Sequence, residues 1–268
     1  MNTTQLYIHH QTTYTYDAPV PYGLMQLRLR PKDNLGQRVL RWDVTIDGGK
    51  TEVEYTDHHH NHVALISFET DVTQLTITCE GEVALSETHG VVGPHAGFAP
   101  MWLFEQVTPL TTAGPKCRAI ANAATGEVGT IDWAHSLSQC IRDAITYEIG
   151  KSEVGWTAED AASAGHGVCQ DHAHVFIACC RRAGVPARYV SGYLMMDDRT
   201  HQDATHAWAE AHIEGLGWVG FDVSNGISPD MRYVRVATGM DYADAAPVSG
   251  TRFGTASEEL SVQLQVQQ

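Results

Sequence analysis

Three short stretches of this chain carry residues that could do chemistry together. The first is Gly165-His166-Gly167-Val168-Cys169-Gln170-Asp171-His172-Ala173-His174. Val168, His172, Val175, Phe176, Cys179 and Cys180 recur there at helical spacing, and Gly184 and Pro186 end the run. Cys169 therefore falls in the first turn of a helix. Unpaired backbone N–H groups and the positive end of the helix dipole favour a thiolate there, the nucleophilic form of cysteine. The same N–H groups can hold an oxyanion. The second stretch, Thr205 to Ile213 with His206 and Trp208, alternates like a strand; Glu214-Gly215-Leu216-Gly217 turns the chain, and the third, Trp218 to Asp222, returns. A hairpin at that turn sets Asp222 opposite residues 206 to 209, within a residue or two of His206. That is what a Cys-His-Asp relay requires: a base for the thiol proton, and a carboxylate to fix the imidazole tautomer and stabilise its charged form. Asp203 and Glu210 compete for the acid's role, and the place after an apolar strand favours Asp222.

The segments GVCQDHAHVFIACCRRAGVPARYVSGYL, THAWAEAHI and GLGWVGFDVSNG closely resemble the transglutaminase-like superfamily of papain-type thiol enzymes. More narrowly, the chain resembles bacterial transglutaminase-like cysteine proteases that carry an N-terminal β domain. The core of the resemblance runs from about Thr157 to Gly226; weaker matches lie at Tyr14 to Asp17, Gly239 to Asp244 and Pro247 to Gly250. It implies an α+β fold, with a papain/transglutaminase-like core in which the nucleophile helix packs on an antiparallel sheet, preceded by a β-sandwich-like domain. It makes Cys169 the nucleophile, His206 the base and Asp222 the orienting acid, with no metal or organic cofactor. The substrate it implies is a peptide or protein amide. Hydrolysis is the favoured outcome, and transfer of a glutamine acyl group to an amine is the alternative, because one triad serves both. A non-catalytic module that holds a peptide in the same cleft is a third reading, and the intact Cys, His and Asp argue against it.

Around the triad, Gln170 is a candidate oxyanion donor and Trp208 a candidate substrate contact. His172 shares the helix face of Cys169 while His174 points elsewhere, and both read as structural. Relatives use a tryptophan as a transition-state donor; Trp156, 13 residues before Cys169, does not match in spacing and reads as packing. The polar loop Met196 to Ala204 is placed to line the acyl-binding cleft.

These residues need a scaffold, and 268 residues suffice for one large domain or two modest ones. Residues 1–90 read as an N-terminal β domain of alternating strands, Leu40, Trp42, Val44 and Ile46 among them. It serves as a scaffold or a substrate-shaping wall. Residues 91–114 form a Gly-, Pro- and aromatic-rich connection. Residues 115–268 form the catalytic core, with Pro115 opening one helix, Asp132 capping another, and a tail of strands from Val234 to Val266 completing the sheet. Within the β domain, His58-His59-His60-Asn61-His62 could gather a transition metal, but no carboxylate or cysteine is spaced to complete a structural site, so the cluster reads as a polar turn. The formal charge of −15, with 17 basic residues and no basic block, argues against nucleic acid and anionic membrane as partners. No apolar run reaches spanning length, and Met1 to His10 lacks the features of a signal peptide. Six cysteines without C-x-x-C spacing suit free thiols, so the expected location is cytoplasmic.

Overall fold

The computed structural model describes residues 3–153, 155–202 and 204–268. Strict alternation builds its first part: Leu6, Ile8, His10, Thr12, Tyr14 and Tyr16 of β1 (Thr3–Val20) all point inward. With β2 (Tyr22–Arg30), β3 (Gln37–Asp47), β4 (Gly49–Thr56), β5 (His62–Phe68) and β6 (Val72–Ser86), this strand forms two facing antiparallel sheets. Leu6, Leu27, Ile66, Leu75 and Ile77 fill the space between them. One alternating residue departs from expectation. A bulge between Val39 and Arg41 turns Leu40 to solvent, while Trp42 stays buried over Gly81, where a Cβ would lie 2.0 Å from the indole.

A short strand, β7 (Val91–Gly93), joins the next part. There α1 (Pro115–Ala123) and α2 (Ile131–Ala144) lead through β8 (Thr146–Tyr147), α3 (Ala158–Ala164) and β9 (His166–Gly167) to α4 (Cys169–Arg182). Pro115 is the first residue of α1, as expected, and its N-terminal N–H groups at Lys116 and Cys117 donate to the Glu159 carboxylate of α3. The cap of α2 is Thr130, whose hydroxyl accepts from Trp133 N–H; Asp132 lies inside the first turn. Strands β10 (Ala187–Leu194), β11 (His201–Gln202), β12 (His206–Ile213), β13 (Gly217–Phe221) and β14 (Tyr233–Gly239) follow. All but β11 join β7 in one antiparallel sheet of order β14-β10-β12-β13-β7. Helix α4 is buried from Asp171 to Arg181, with α1, α2 and α3 on one side and Ala207, Ala209 and Ala211 of β12 on the other. Small residues on the strand let the helix approach closely. At its far end, the buried Arg181 guanidinium donates to the carbonyls of Phe104, Ala187 and Met240.

The opposite face of that sheet packs on the β domain. Tyr193, Val234 and Val236 belong to the same apolar cluster as Leu6 and Leu27. Polar bonds cross the seam as well: Gln37 pairs with the backbone of Arg235, and the buried Lys32 ammonium donates to His59 O, Asn61 Oδ1 and Thr238 Oγ1. The C-terminal tail corrects the expectation that it completes the catalytic sheet. Only β14 does so. After α5 (Tyr242–Ala245), β15 (Val248–Phe253) pairs with β2 and β16 (Glu258–Gln267) pairs with β1. Leu264 and Val266, spaced by two, enter the sandwich core, so the chain closes the N-terminal domain with its own last strands. No helix among the described residues is long and apolar enough to cross a membrane.

Candidate active site

Cys169 is the first residue of α4. The Asp171 carboxylate accepts from Val168 N–H at 2.8 Å and fixes the entry to the helix, and Gly167 leaves room for it, since a Cβ there would meet Asp171 at 2.7 Å. First-turn N–H groups such as those of Cys169 and Gln170 have no intrahelical acceptor. His206 opens β12, and Asp222 follows β13 directly. In the hairpin Ala209 faces Phe221, so one further step sets Asp222 beside Trp208, two residues from His206, as the sequence predicts. His206 Nε2 lies 2.6 Å from Asp222 Oδ2, and the ring shares one cleft with Cys169.

Asp222 is fully buried, and its charge is held by more than histidine. Oδ2 also accepts from Asn225 Nδ2 and Tyr233 OH, both at 2.7 Å; Oδ1 accepts from Ser224 Oγ at 2.7 Å and Asn225 N–H at 3.2 Å. Burial works against the carboxylate, but these donors and His206 outweigh it and hold its pKa below the usual range. Burial likewise opposes charge on His206, yet its bond to Asp222, with Cys169 nearby, pushes the imidazole up to about 10. Sequence reasoning missed Tyr233, Ser224 and Asn225. The Asp-x-Ser-Asn-Gly order is an Asx-turn signal that could have found two of them. Tyr233 comes from β14, two strands across the sheet from β12, and has no local signal.

The other candidates separate cleanly. Gln170 lines a cleft of about 450 Å³ that holds Cys169 and His206, together with Met196, Gln202, Tyr242 and Pro247. Trp208, expected as a substrate contact, is buried behind His206 against Tyr233 and lines no part of that cleft. Being two residues on, it shares the strand face of His206 but sits deeper. Glu210, a rival acid, is engaged elsewhere by Arg188 and Arg235, both at 2.6 Å. The other rival, Asp203, lies outside the described residues. His172 is buried, its ring nitrogens 2.9 and 3.1 Å from the carbonyl oxygens of Val168 and Ile145. His174 Nε2 accepts from Tyr242 N–H, and burial, with Arg181 nearby, lowers its pKa to about 3. Trp156 packs beside His166 and is no part of the cleft wall. Tyr147, unremarked in the sequence, is. Burial, with the charges of Cys169 and Asp222 nearby, raises its hydroxyl pKa, so it stays a proton donor. In the turn of the β domain, His59 packs on Phe104 and His60 on Phe98, and among the described residues no group of three His, Cys, Asp or Glu side chains is placed to hold a metal ion.

Comparison with known proteins gives two family matches: the bacterial transglutaminase-like N-terminal region over residues 6–84, and the transglutaminase-like superfamily core over residues 117–223. An uncharacterised protein of Mycobacterium leprae is 27% identical over 277 residues, covering 96% of each chain. An uncharacterised protein of Mycobacterium tuberculosis is 28% identical over 269 residues, covering 91% of this chain and 86% of its own length. A crystal structure from Cytophaga hutchinsonii, described as a candidate cysteine protease, superposes with a TM-score of 0.73 at 23% identity, over 99% of this chain and 91% of that one. It shares the whole two-part architecture.

Proposed function

The chain belongs to the transglutaminase-like superfamily, with the N-terminal region typical of its bacterial members, and from that premise we propose that it is a thiol-dependent amide hydrolase acting on peptides or proteins. The observation that carries the reading is the 2.6 Å bond from His206 Nε2 to Asp222, on a ring that lines the same open cleft as Cys169. Cys169 stands at the helix N-terminus, in the same cleft as the His206 ring. In the proposed reaction the Cys169 sulfur attacks the amide carbonyl carbon. The oxyanion is met by the Cys169 N–H, with Gln170 and the Tyr147 hydroxyl as further donors. His206 gives its proton to the amide nitrogen, the C–N bond breaks and the amine leaves. A water then loses a proton to His206 and attacks the thioester; the C–S bond breaks and the acid product departs. Asp222, pinned by five hydrogen bonds, holds the ring in place throughout. Six free thiols fit a reducing compartment, and a cytoplasmic site of action is part of the proposal.

Iodoacetamide tests the reading, with alkylation read by peptide mass spectrometry. Cys169 should react at neutral pH much faster than Cys140, a half-buried thiol of the same chain, and His206→Ala should slow it to that level. Equal rates at the two cysteines, unchanged by the histidine substitution, would leave a peptide-holding module in place of an enzyme.

A further inference from the structure

The strand edges of the β domain are treated unequally. At one side, β3 and β4 each carry a bulge, between Val39 and Arg41 and between Thr51 and Val53, and charged residues stud both: Arg38, Arg41 and Asp43 on one, Lys50, Glu52 and Glu54 on the other. Bulges and charges are how sheets keep foreign strands off their edges. At the other side β16 has neither device along most of its length. It pairs with β1 over ten consecutive residues without a register shift, and from Leu260 to Gln267 it has no charged residue and no proline. Among the described residues its outer edge is covered only at one end, where His201 and Gln202 of β11 pair with Gln265 and Leu264. Among the described residues, no strand pairs with the outer edge from Glu258 to Gln263.

That partial cover joins the edge to the active site, because His201 and Gln202 also line the cleft of Cys169. Val266 N–H donates outward to Thr200 O, so by alternation the N–H and C=O groups of Val262, Leu260 and Glu258 face outward too. Among the described residues the first open position is Val262, two residues before Leu264 and roughly 7 Å from it along the strand. Leu260 is half exposed there, and Glu259 and Glu258 follow, the latter paired with Arg252.

We propose that this edge is a docking site for polypeptide substrate: an extended segment, uncharged near the cleft and basic at its far end, adds as a strand beside Glu258–Val262 in line with β11 and is thereby led to Cys169. The proposal rests on the amide-hydrolase reading and names its substrate as an unfolded or extended chain, bound by backbone pairing with little demand on side chains. It also gives the N-terminal domain a task in catalysis.

The test compares chloroacetyl peptides as alkylating agents of Cys169 in the full chain: a dipeptide, an octapeptide of alternating Val, Thr and Lys, and the same octapeptide N-methylated at alternate residues, each with the reactive group at either end. The octapeptide should react about tenfold faster than the dipeptide, as two or three added backbone hydrogen bonds allow, and N-methylation should remove the gain. Leu260→Pro, which deletes an outward N–H at an exposed position, should remove it as well. An octapeptide no faster than the dipeptide, or a gain that survives N-methylation, overturns the docking edge. Iodoacetamide, too small to reach the edge, reports on the thiol alone. A fast iodoacetamide reaction without an octapeptide gain sinks the edge and leaves the enzyme reading standing, whereas slow reaction with every reagent sinks both.

Discussion

Two buried charge networks lie on one strand, four residues apart. At the start of β12, His206 meets Asp222, and that carboxylate is surrounded by Ser224, Asn225 and Tyr233. Near its end, Glu210 is clasped by Arg188 and Arg235, and Arg188 in turn lies over the Trp218 ring at 3.9 Å. Both networks are desolvated and both shift their carboxylates downward; for Glu210, burial is outweighed by the two guanidinium groups, which hold its pKa at about 2. What separates them is completeness. Glu210 accepts from Arg188 and Arg235 at the seam between sheet and β domain, and none of the three lines the cleft of Cys169, so that network can only hold. His206 lines an open cleft together with Cys169, so its charge can be handed on. A buried network with one position left open toward solvent is where chemistry fits.

Removing the sulfur gives the largest expected effect. Cys169→Ala should lower turnover of any amide substrate by a factor on the order of 10⁶, as losses of a nucleophile acting in a unit do, while the thermal midpoint stays close to wild type. Measurable turnover in that variant would end the assignment. Next come the two carboxylates, each replaced by its amide. Asp222→Asn should lower kcat by ~10⁴ through loss of the tautomer and charge it supports. Glu210→Gln should leave kcat of the folded molecules nearly unchanged but cost about 3–5 kcal/mol in urea unfolding, because it leaves two buried guanidinium groups without their anion. If Glu210→Gln were instead stable and inactive, the two networks would have to exchange roles.

The sequence displayed one of these networks far better than the other. His206 and Asp222 were legible because a hairpin is a local object: alternation and a Gly-rich turn fix which residues face each other. The helix that Cys169 opens was legible for the same reason, through its periodicity and its Gly and Pro stop. Glu210 looked like a rival acid, since its partners Arg188 and Arg235 lie on neighbouring strands whose register no local pattern sets. Tyr233 was invisible on the same ground. The tail was misjudged because alternation in β15 and β16 says that a strand has one buried face without saying which sheet supplies the cover. Leu40 shows the converse: its alternation was real, and a bulge overrode it.

Acid and base should separate the networks by titration. Glu210 has its folded pKa depressed from 4.5 to about 2, so its stabilisation is complete above 4.5 and is lost as pH falls toward 2. His206 has its folded pKa raised from 6.5 to about 10, so its contribution is complete below 6.5 and is lost as pH rises toward 10. The urea midpoint of the wild type should therefore decline between pH 6.5 and 10, and His206→Ala should flatten that decline. A variant that keeps the alkaline decline would show that His206 is not charged in the folded protein.

The smallest effect distinguishes a residue that supports Asp222 from one that takes part in the reaction. Tyr233 OH donates at 2.7 Å to the same oxygen that His206 meets at 2.6 Å, and burial, with Asp222 beside it, raises the pKa of the phenol and keeps it protonated. Tyr233→Phe removes a single donor and changes little in shape, leaving Asn225 and His206 on that oxygen. A lost hydrogen bond to a charged group amounts to about 1.5–3 kcal/mol of stability. Activity should fall only a few-fold, because the carboxylate still points at the ring and its charge persists. KM should not move, since Tyr233 lies behind Asp222 and does not line the cleft. A Tyr233→Phe enzyme as weak as Asp222→Asn would mean that three donors on Oδ2 are needed to keep the carboxylate from rotating away from His206. The acid of the proposed triad would then be a four-residue assembly of Asp222, Ser224, Asn225 and Tyr233.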